Sequence, residues 1–399
     1  MSSALGPFNR RDLALGLAAL ALTGCGEKKP AAAPEAKAPA APPRAPELPI
    51  VIPVLDLNAL KALLDRTVAL RGVPGMAAAV VNAQGVVFSA ASGVRRKSTS
   101  DPVSVRDAWH IGSDTKAMTA ALYARLVDQK RAKWGATLPE LFPTLAASMD
   151  PAWRAITIEQ LMSHRAGLDD VGVPWLNAAR ADHRPLPEQR LATAADKLSK
   201  PPAKPVGQFA YANVGYIIVG SAIEQILKTS WEEAIAAQVF DPLGMRDAGF
   251  GPPKGEAPQG HRLNPLTDML SAVGDGPTAD NPAALGPAGT VHVTLDDWAR
   301  FIRVFLDPKQ TFLKPDSLQH LITPAAGASY AMGWGIIDDP KAGRLLSHAG
   351  SNTMWFAQAV IARDRNAAVL VTANCATDAG QQAVAMVTNA LLLGQLAPA

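Results

Sequence analysis

The sequence predicts an α+β fold, with one antiparallel sheet built from strands at both ends of the chain, flanked by terminal helices and carrying a large helical insertion at about 114–330. Three observations predict it. Strand-like apolar runs occur at Met76 to Val81 and Val86 to Ala91, and then only beyond residue 330. Helical periodicity brackets them, at Leu57 to Val68 and at about Gly380 to Leu393. The long middle reads as helix and loop, punctuated by proline-rich connections such as Pro201 to Pro205 and Gly251 to Pro258. With 399 residues, 48% of them apolar, the chain is long enough for a large buried core.

The chain opens with an address. Arg10 and Arg11 precede a short apolar run from Leu13 to Leu22, the pattern of an export signal rather than of a membrane span. The run ends in Leu22-Thr23-Gly24-Cys25, which resembles a bacterial lipobox and implies cleavage before Cys25 and acylation of that cysteine. Residues 1–25 are therefore expected to be a lipoprotein signal peptide. An Ala/Pro-rich linker follows at 26–49, too poor in apolar residues to fold, and residues 50–395 form the folded domain. The expected location is the bacterial cell envelope, with a membrane reached through the lipid on Cys25.

Within the domain, Asp56 is a plausible N-cap for a helix with Leu57, Leu60, Leu64 and Val68 on one face and Gly72 as its stop. Asn82-Ala83-Gln84-Gly85 then joins two strands as a β-hairpin. A helix follows Ser113, its Ala117, Ala120, Ala121 and Ala124 recurring on one face so that neighbours can approach closely. Thr157 with Gln160 forms a capping box, Val214 to Leu227 and Trp231 to Phe240 are helical, and Thr294 caps Leu295 to Leu306. Strands return at Met332 to Ile337, Arg344 to Ser347, Met354 to Ile361 and Ala367 to Thr372.

Several function classes find no support. A net charge of +3 without a basic, aromatic-interleaved stripe disfavours nucleic acid as a partner. Seven scattered histidines and two cysteines lack metal-ligand spacing, and the chain has no phosphate-binding glycine loop and no G-x-S-x-G elbow. No cofactor or metal is expected. What remains is Ser113 with Lys116, three apart at a helix start, where the free N–H groups favour developing negative charge. Alone, that spacing is more often the mark of a solvated first turn. Two further motifs join it: Tyr211-Ala212-Asn213 ahead of an apolar helix, and His348-Ala349-Gly350, followed by Ser351, at a strand end.

In that order and on those elements, the three motifs resemble the serine hydrolase family of class C β-lactamases, penicillin-binding DD-peptidases, D-aminopeptidases and related esterases. Leu161 to Leu168, Asp241 to Met245, Gly286 to Gly289 and Gly333-Trp334-Gly335 are similar too. The resemblance implies the β-lactamase/DD-peptidase-like fold over about residues 50–395, Ser113 as nucleophile of an acyl-enzyme, and Lys116 and Tyr211 sharing the general-base work. For Tyr211 to act so, Lys116 must depress its pKa. It further implies an oxyanion hole from the N–H groups of Ser113 and Ser351, close approach at Gly112 and Gly350, and substrate positioning by the Asn213 amide and His348. Where class C β-lactamases usually carry lysine, this chain has His348, which favours an ester or a D-residue-containing peptide over a lactam. A DD-carboxypeptidase or β-lactamase is the alternative within enzymes, and a catalytically silent envelope-binding lipoprotein the alternative outside them. His164, with Asp169 or Asp170, is read as structural rather than as part of a triad. After Gly350 the bulky Trp355 and Phe356 either narrow the acyl pocket or belong to the core, Phe356 being the stronger core candidate.

Overall fold

The computed structural model describes residues 56–264, 266–274, 276, 278–340 and 342–396; the expected signal with Cys25 and the linker at 26–49 lie outside the described residues. Asp56 caps the first helix, Leu57–Arg71, its Oδ1 accepting from Ala59 N at 2.7 Å. Gly72 ends that helix at φ 65°, a left-handed conformation that glycine adopts without strain. The hairpin follows as β1 (Gly75–Asn82) and β2 (Gly85–Gly93), with Asn82 Oδ1 accepting from the backbone N–H groups of Gln84 and Gly85.

The middle of the chain departs from the expected helix and loop. β3 (Trp109–His110) lies just ahead of it, and the middle itself contributes β4 (Gly249–Phe250), β5 (His261–Leu263), β6 (Leu270–Ala272) and β7 (Val291–Val293). These form a three-stranded sheet in the order β3-β7-β4 and a separate β5-β6 ribbon. Strands of two or three residues are too short to show an alternating pattern, which is why the sequence hides them. Trp231–Ile235 is α-helical as expected, but Ala236–Phe240 widens into a π turn.

The C-terminal part supplies β8 (Gly335–Asp339), β9 (Gly343–Ser351), β10 (Phe356–Ala362) and β11 (Ala367–Ala373) before the last helix, Asp378–Leu396. Together with the first hairpin they make one six-stranded sheet, β2-β1-β11-β10-β9-β8, in which the two ends of the chain meet where β1 pairs with β11 (Met76↔Ala373, Ala79↔Leu370). Every pairing is antiparallel. β10 begins two residues later than the apolar run suggests, because Asn352 Oδ1 accepts from both Met354 N and Trp355 N and holds them in a turn.

Alternation along β1 divides the core. Met76, Ala78 and Val80 face Leu60, Leu64 and the terminal-helix residues Val384 and Val387, while Ala77, Ala79 and Val81 face the larger core. At the centre of that larger core lies the helix Thr115–Asp128. Ala117, Ala120, Ala121 and Ala124 on it are at most 2% exposed, and an added Cβ on Gly333 would come 2.6 Å from the Ala117 Cα. The small-residue stripe thus lets a loop press directly against this helix, fixing its first turn in space.

Candidate active site

Ser113 lies in a 3-10 turn, Gly112–Asp114, that runs into the Thr115–Asp128 helix, and Lys116 is the second residue of that helix. The turn is wedged against β9. Gly112 has φ 51°, and a Cβ there would meet Ser351 N at 2.3 Å; a Cβ on Gly350 would lie 1.9 Å from Ile111 O. Only glycine permits this contact at either position, so two backbone segments, one ending in Ser113 and one in Ser351, lie side by side.

Lys116 is fully buried. Its Nζ lies 2.9 Å from Ser113 Oγ, 2.8 Å from Asn213 Oδ1 and 2.7 Å from Ala288 O. On the other side of the serine, the Tyr211 hydroxyl donates to Ser113 Oγ at 2.9 Å. Burial lowers the Lys116 pKa to about 7, against the opposing pull of the Asp170 and Asp114 carboxylates. The geometry then determines where its lone pair points. Asn213 Oδ1 and Ala288 O can only accept, so a neutral lysine spends its two N–H groups on them and turns the lone pair toward Ser113.

Tyr211 is different from expectation. Burial pushes its phenol up, the hydrogen bond to Ser113 opposes this, and the charges of Asp170 and Asp114 add to the rise. The phenol is therefore raised rather than depressed, with desolvation the largest cause and the two carboxylates adding to it. In this arrangement the Tyr211 hydroxyl donates to Ser113 Oγ, and Lys116 is the neighbour whose lowered pKa leaves it able to accept a proton. The tyrosine is held by His164: Ala210 N donates to His164 O at 2.8 Å, Ala212 N donates to His164 Nδ1 at 3.2 Å, and the two rings are 4.2 Å apart. His164 is 3% exposed and forms no triad, in keeping with its structural reading.

Asn213 is the first residue of the helix Asn213–Leu227. Its amide, expected to meet substrate, is engaged on both sides within the protein: Oδ1 accepts from Lys116 and Nδ2 donates to Asp170 Oδ2 at 2.7 Å. Asp170 Oδ1 also accepts from Asn213 N at 2.7 Å and Val214 N at 3.3 Å, capping the helix. Asp170 entered the sequence reading only as a rejected triad member, since a cap supplied from 43 residues away leaves no local signal.

His348 is buried on β9, its Nε2 3.0 Å from the Tyr330 hydroxyl. Burial, reinforced by the Lys116 charge, lowers its pKa to about 3, so it presents a neutral ring where a lysine would present a cation. Tyr330 was not singled out from sequence. Nor was Asp114, whose carboxyl is 2% exposed and whose pKa burial raises well above the usual range. Trp355 corrects an expectation: it is 1% exposed, stacks on His110 at 5.7 Å and donates from Nε1 to Pro258 O at 3.2 Å, whereas Phe356 is only half-buried. Of the two, Trp355 is the core residue.

The fold and this site define a serine hydrolase of the penicillin-binding-protein and β-lactamase class. The chain belongs to the Beta-lactamase family, whose model matches residues 60–392. It is 29% identical over 246 residues to "Penicillin-binding protein 4" of Amycolatopsis lactamdurans, covering 59% of this chain and 60% of that protein. It is 27% identical over 319 residues to the Escherichia coli K12 "D-alanyl-D-alanine-carboxypeptidase/endopeptidase AmpH", covering 74% of this chain and 77% of that one. The penicillin-binding protein homologue from Pyrococcus abyssi shares the fold with a TM-score of 0.70 at 22% identity, over 85% of this chain and 78% of the other.

Proposed function

We propose that the protein is an acyl-transfer hydrolase in which Ser113 attacks the carbonyl of an ester or of a peptide bearing a D-residue. The observation that carries this is a buried lysine of pKa about 7 sharing one serine oxygen with a tyrosine hydroxyl. Neutral Lys116 takes the proton of Ser113 as Oγ bonds to the carbonyl carbon. The resulting oxyanion meets the N–H groups of Ser113 and Ser351, each such donor being worth about 3 kcal/mol. Tyr211 gives its proton to the leaving group as the scissile bond breaks, and the tyrosinate so formed takes up the proton that Lys116 holds, leaving Lys116 neutral. Water then attacks the acyl-enzyme with Lys116 again as base, returning the proton to Ser113.

The D-residue preference is supported by the similarity to AmpH, named as a D-alanyl-D-alanine-carboxypeptidase/endopeptidase, over 74% of this chain. The neutral His348–Tyr330 pair supports substrates that need no carboxylate clamp at His348. A fluorophosphonate probe should add its mass to Ser113, and Ser113→Ala should abolish labelling and turnover. Among p-nitrophenyl esters, D-amino-acid anilides and a chromogenic cephalosporin, the cephalosporin should be the poorest; a wide margin in its favour would overturn the reading of His348.

The location belongs to the same proposal: export, lipid attachment at Cys25 and tethering to an envelope membrane by residues 26–49. It is supported by Leu22-Thr23-Gly24-Cys25. No helix among the described residues is long and apolar enough to cross a membrane. Incorporation of radiolabelled palmitate that is lost in Cys25→Ser tests it.

A further inference from the structure

The oxyanion hole needs two backbone N–H groups from segments 238 residues apart in sequence, Ser113 and Ser351, at a fixed separation. Close packing of Gly112 on Gly350 brings them together but does not by itself fix their tilt. A buried polar network spans both. Gly112 N donates to His110 Nδ1 at 3.1 Å, and His110 Nε2 lies 3.0 Å from Asp280 Oδ2. Because Nδ1 accepts, Nε2 carries the proton and donates to the carboxylate, which leaves one tautomer compatible with both partners. Asp280 Oδ1 accepts from Asn352 Nδ2 at 2.7 Å, and Asn352 Oδ1 accepts from Met354 N and Trp355 N, so that amide also has one orientation.

Asp280 is itself anchored. Its Oδ1 accepts from Asn281 N at 2.7 Å, and Arg180 donates to its backbone carbonyl at 3.1 Å. The neighbouring Asn281 Nδ2 donates to Gly289 O at 3.1 Å, one residue beyond the Ala288 carbonyl that receives Lys116 Nζ. One dipeptide therefore touches the chain before the nucleophile, the chain after Ser351 and the chain that orients the base. His110 is fully buried and Asp280 is 5% exposed. A carboxylate so placed, with each oxygen spent on a different arm, is costly to bury unless both arms are made.

We infer that Asp280 is a positioning residue for the oxyanion hole, holding through His110 and Asn352 the two backbone segments that supply its N–H groups; this rests on the reading of Ser113 as nucleophile. Asp280→Asn tests it sharply. Asparagine can accept on only one side, so it either loses Asn352 or faces His110 with a donor and forces the ring into the tautomer that opposes Gly112 N–H. His110→Gln is a second variant, keeping a donor toward Asp280 and losing the acceptor for Gly112.

Both are made in the full chain, and kcat is expressed per serine titrated to completion by fluorophosphonate. The expected result is a fall of roughly 10²-fold in kcat per titrated serine, the size of one lost oxyanion donor, with KM within about threefold of wild type. A purely structural defect instead lowers the fraction of serine that titrates and leaves the rate per titrated serine unchanged. That outcome, or a per-serine kcat within about threefold of wild type in both variants, overturns the inference while the hydrolase reading stands. If wild type itself neither labels nor turns over, the hydrolase reading fails and the inference falls with it.

Discussion

Asp170 grips Asn213 with both carboxylate oxygens, Oδ2 accepting from the side-chain amide and Oδ1 from the backbone N–H, each at 2.7 Å. That grip turns the Asn213 carbonyl oxygen toward Lys116, where it accepts from Nζ at 2.8 Å. The same carboxylate is the largest charge opposing the fall of the Lys116 pKa. Asp170→Asn removes the charge and frees the amide to flip. The acid limb of kcat/KM should move below its wild-type position, since the lysine loses the anion that favours its protonated form, and the plateau should drop about tenfold, the worth of one hydrogen bond to a charged group at roughly 1.5 kcal/mol. An acid limb that stays in place would separate Asp170 from the base.

The pH dependence of the wild type follows from Lys116. The base works only when neutral, so kcat/KM should rise with pH through a midpoint near 7, the value to which burial lowers this lysine. Stability carries the same sign. Between about pH 7 and the ordinary lysine value of 10.5 the unfolded chain binds a proton that the folded chain does not, so the contribution of Lys116 to stability rises with pH across that window and is lost as pH falls through 7. Lys116→Met should abolish most activity and flatten the alkaline rise in unfolding midpoint measured by calorimetry.

The sheet was legible because β1, β2, β10 and β11, seven to nine residues each, carry continuous apolar runs, buried almost throughout in β1, β10 and β11, and the Asp56 cap, the Asn82 turn and the Gly72 stop are local signals. Ser113, Lys116 and Tyr211 were legible as motifs, and the structure places Lys116 Nζ and the Tyr211 hydroxyl each 2.9 Å from Ser113 Oγ. What stayed hidden shares one physical property. Asp170, Tyr330, Asp280 and the strand β7 act through partners distant in sequence, and no local spacing encodes such a contact. The direction of the Tyr211 shift was hidden for a related reason: it depends on burial, and on Asp170 and Asp114 standing nearby, rather than on the lysine three residues from the nucleophile.

His348 also bears on acid stability. Burial and then the Lys116 charge lower its pKa to about 3 from an ordinary 6.5. As pH falls from 6.5 toward 3, the unfolded chain takes up a proton that the folded chain refuses, so stability declines over that interval. His164, lowered for the same first reason, adds to the decline. His348→Gln, which has no proton to gain, should show a shallower loss of unfolding midpoint between pH 7 and pH 4 than wild type; equal slopes would mean that His348 is not held neutral by its surroundings.

Trp355 distinguishes a core residue from a pocket wall. Its ring stacks on His110, its Nε1 donates to Pro258 O, and a Cβ on Gly260 would come within 2.5 Å of its Cζ3, so the site has little slack to collapse into. Trp355→Ala should destabilise the protein by about 3–5 kcal/mol, the range for deleting a buried aromatic side chain. Because the stacked His110 would lose support, overall turnover should fall as well. The ratio of kcat/KM for small and bulky acyl esters should nevertheless stay within about threefold, since substrate does not meet this ring. A marked gain for bulky esters, measured on variant fractions normalised to titratable serine, would return Trp355 to the acyl pocket.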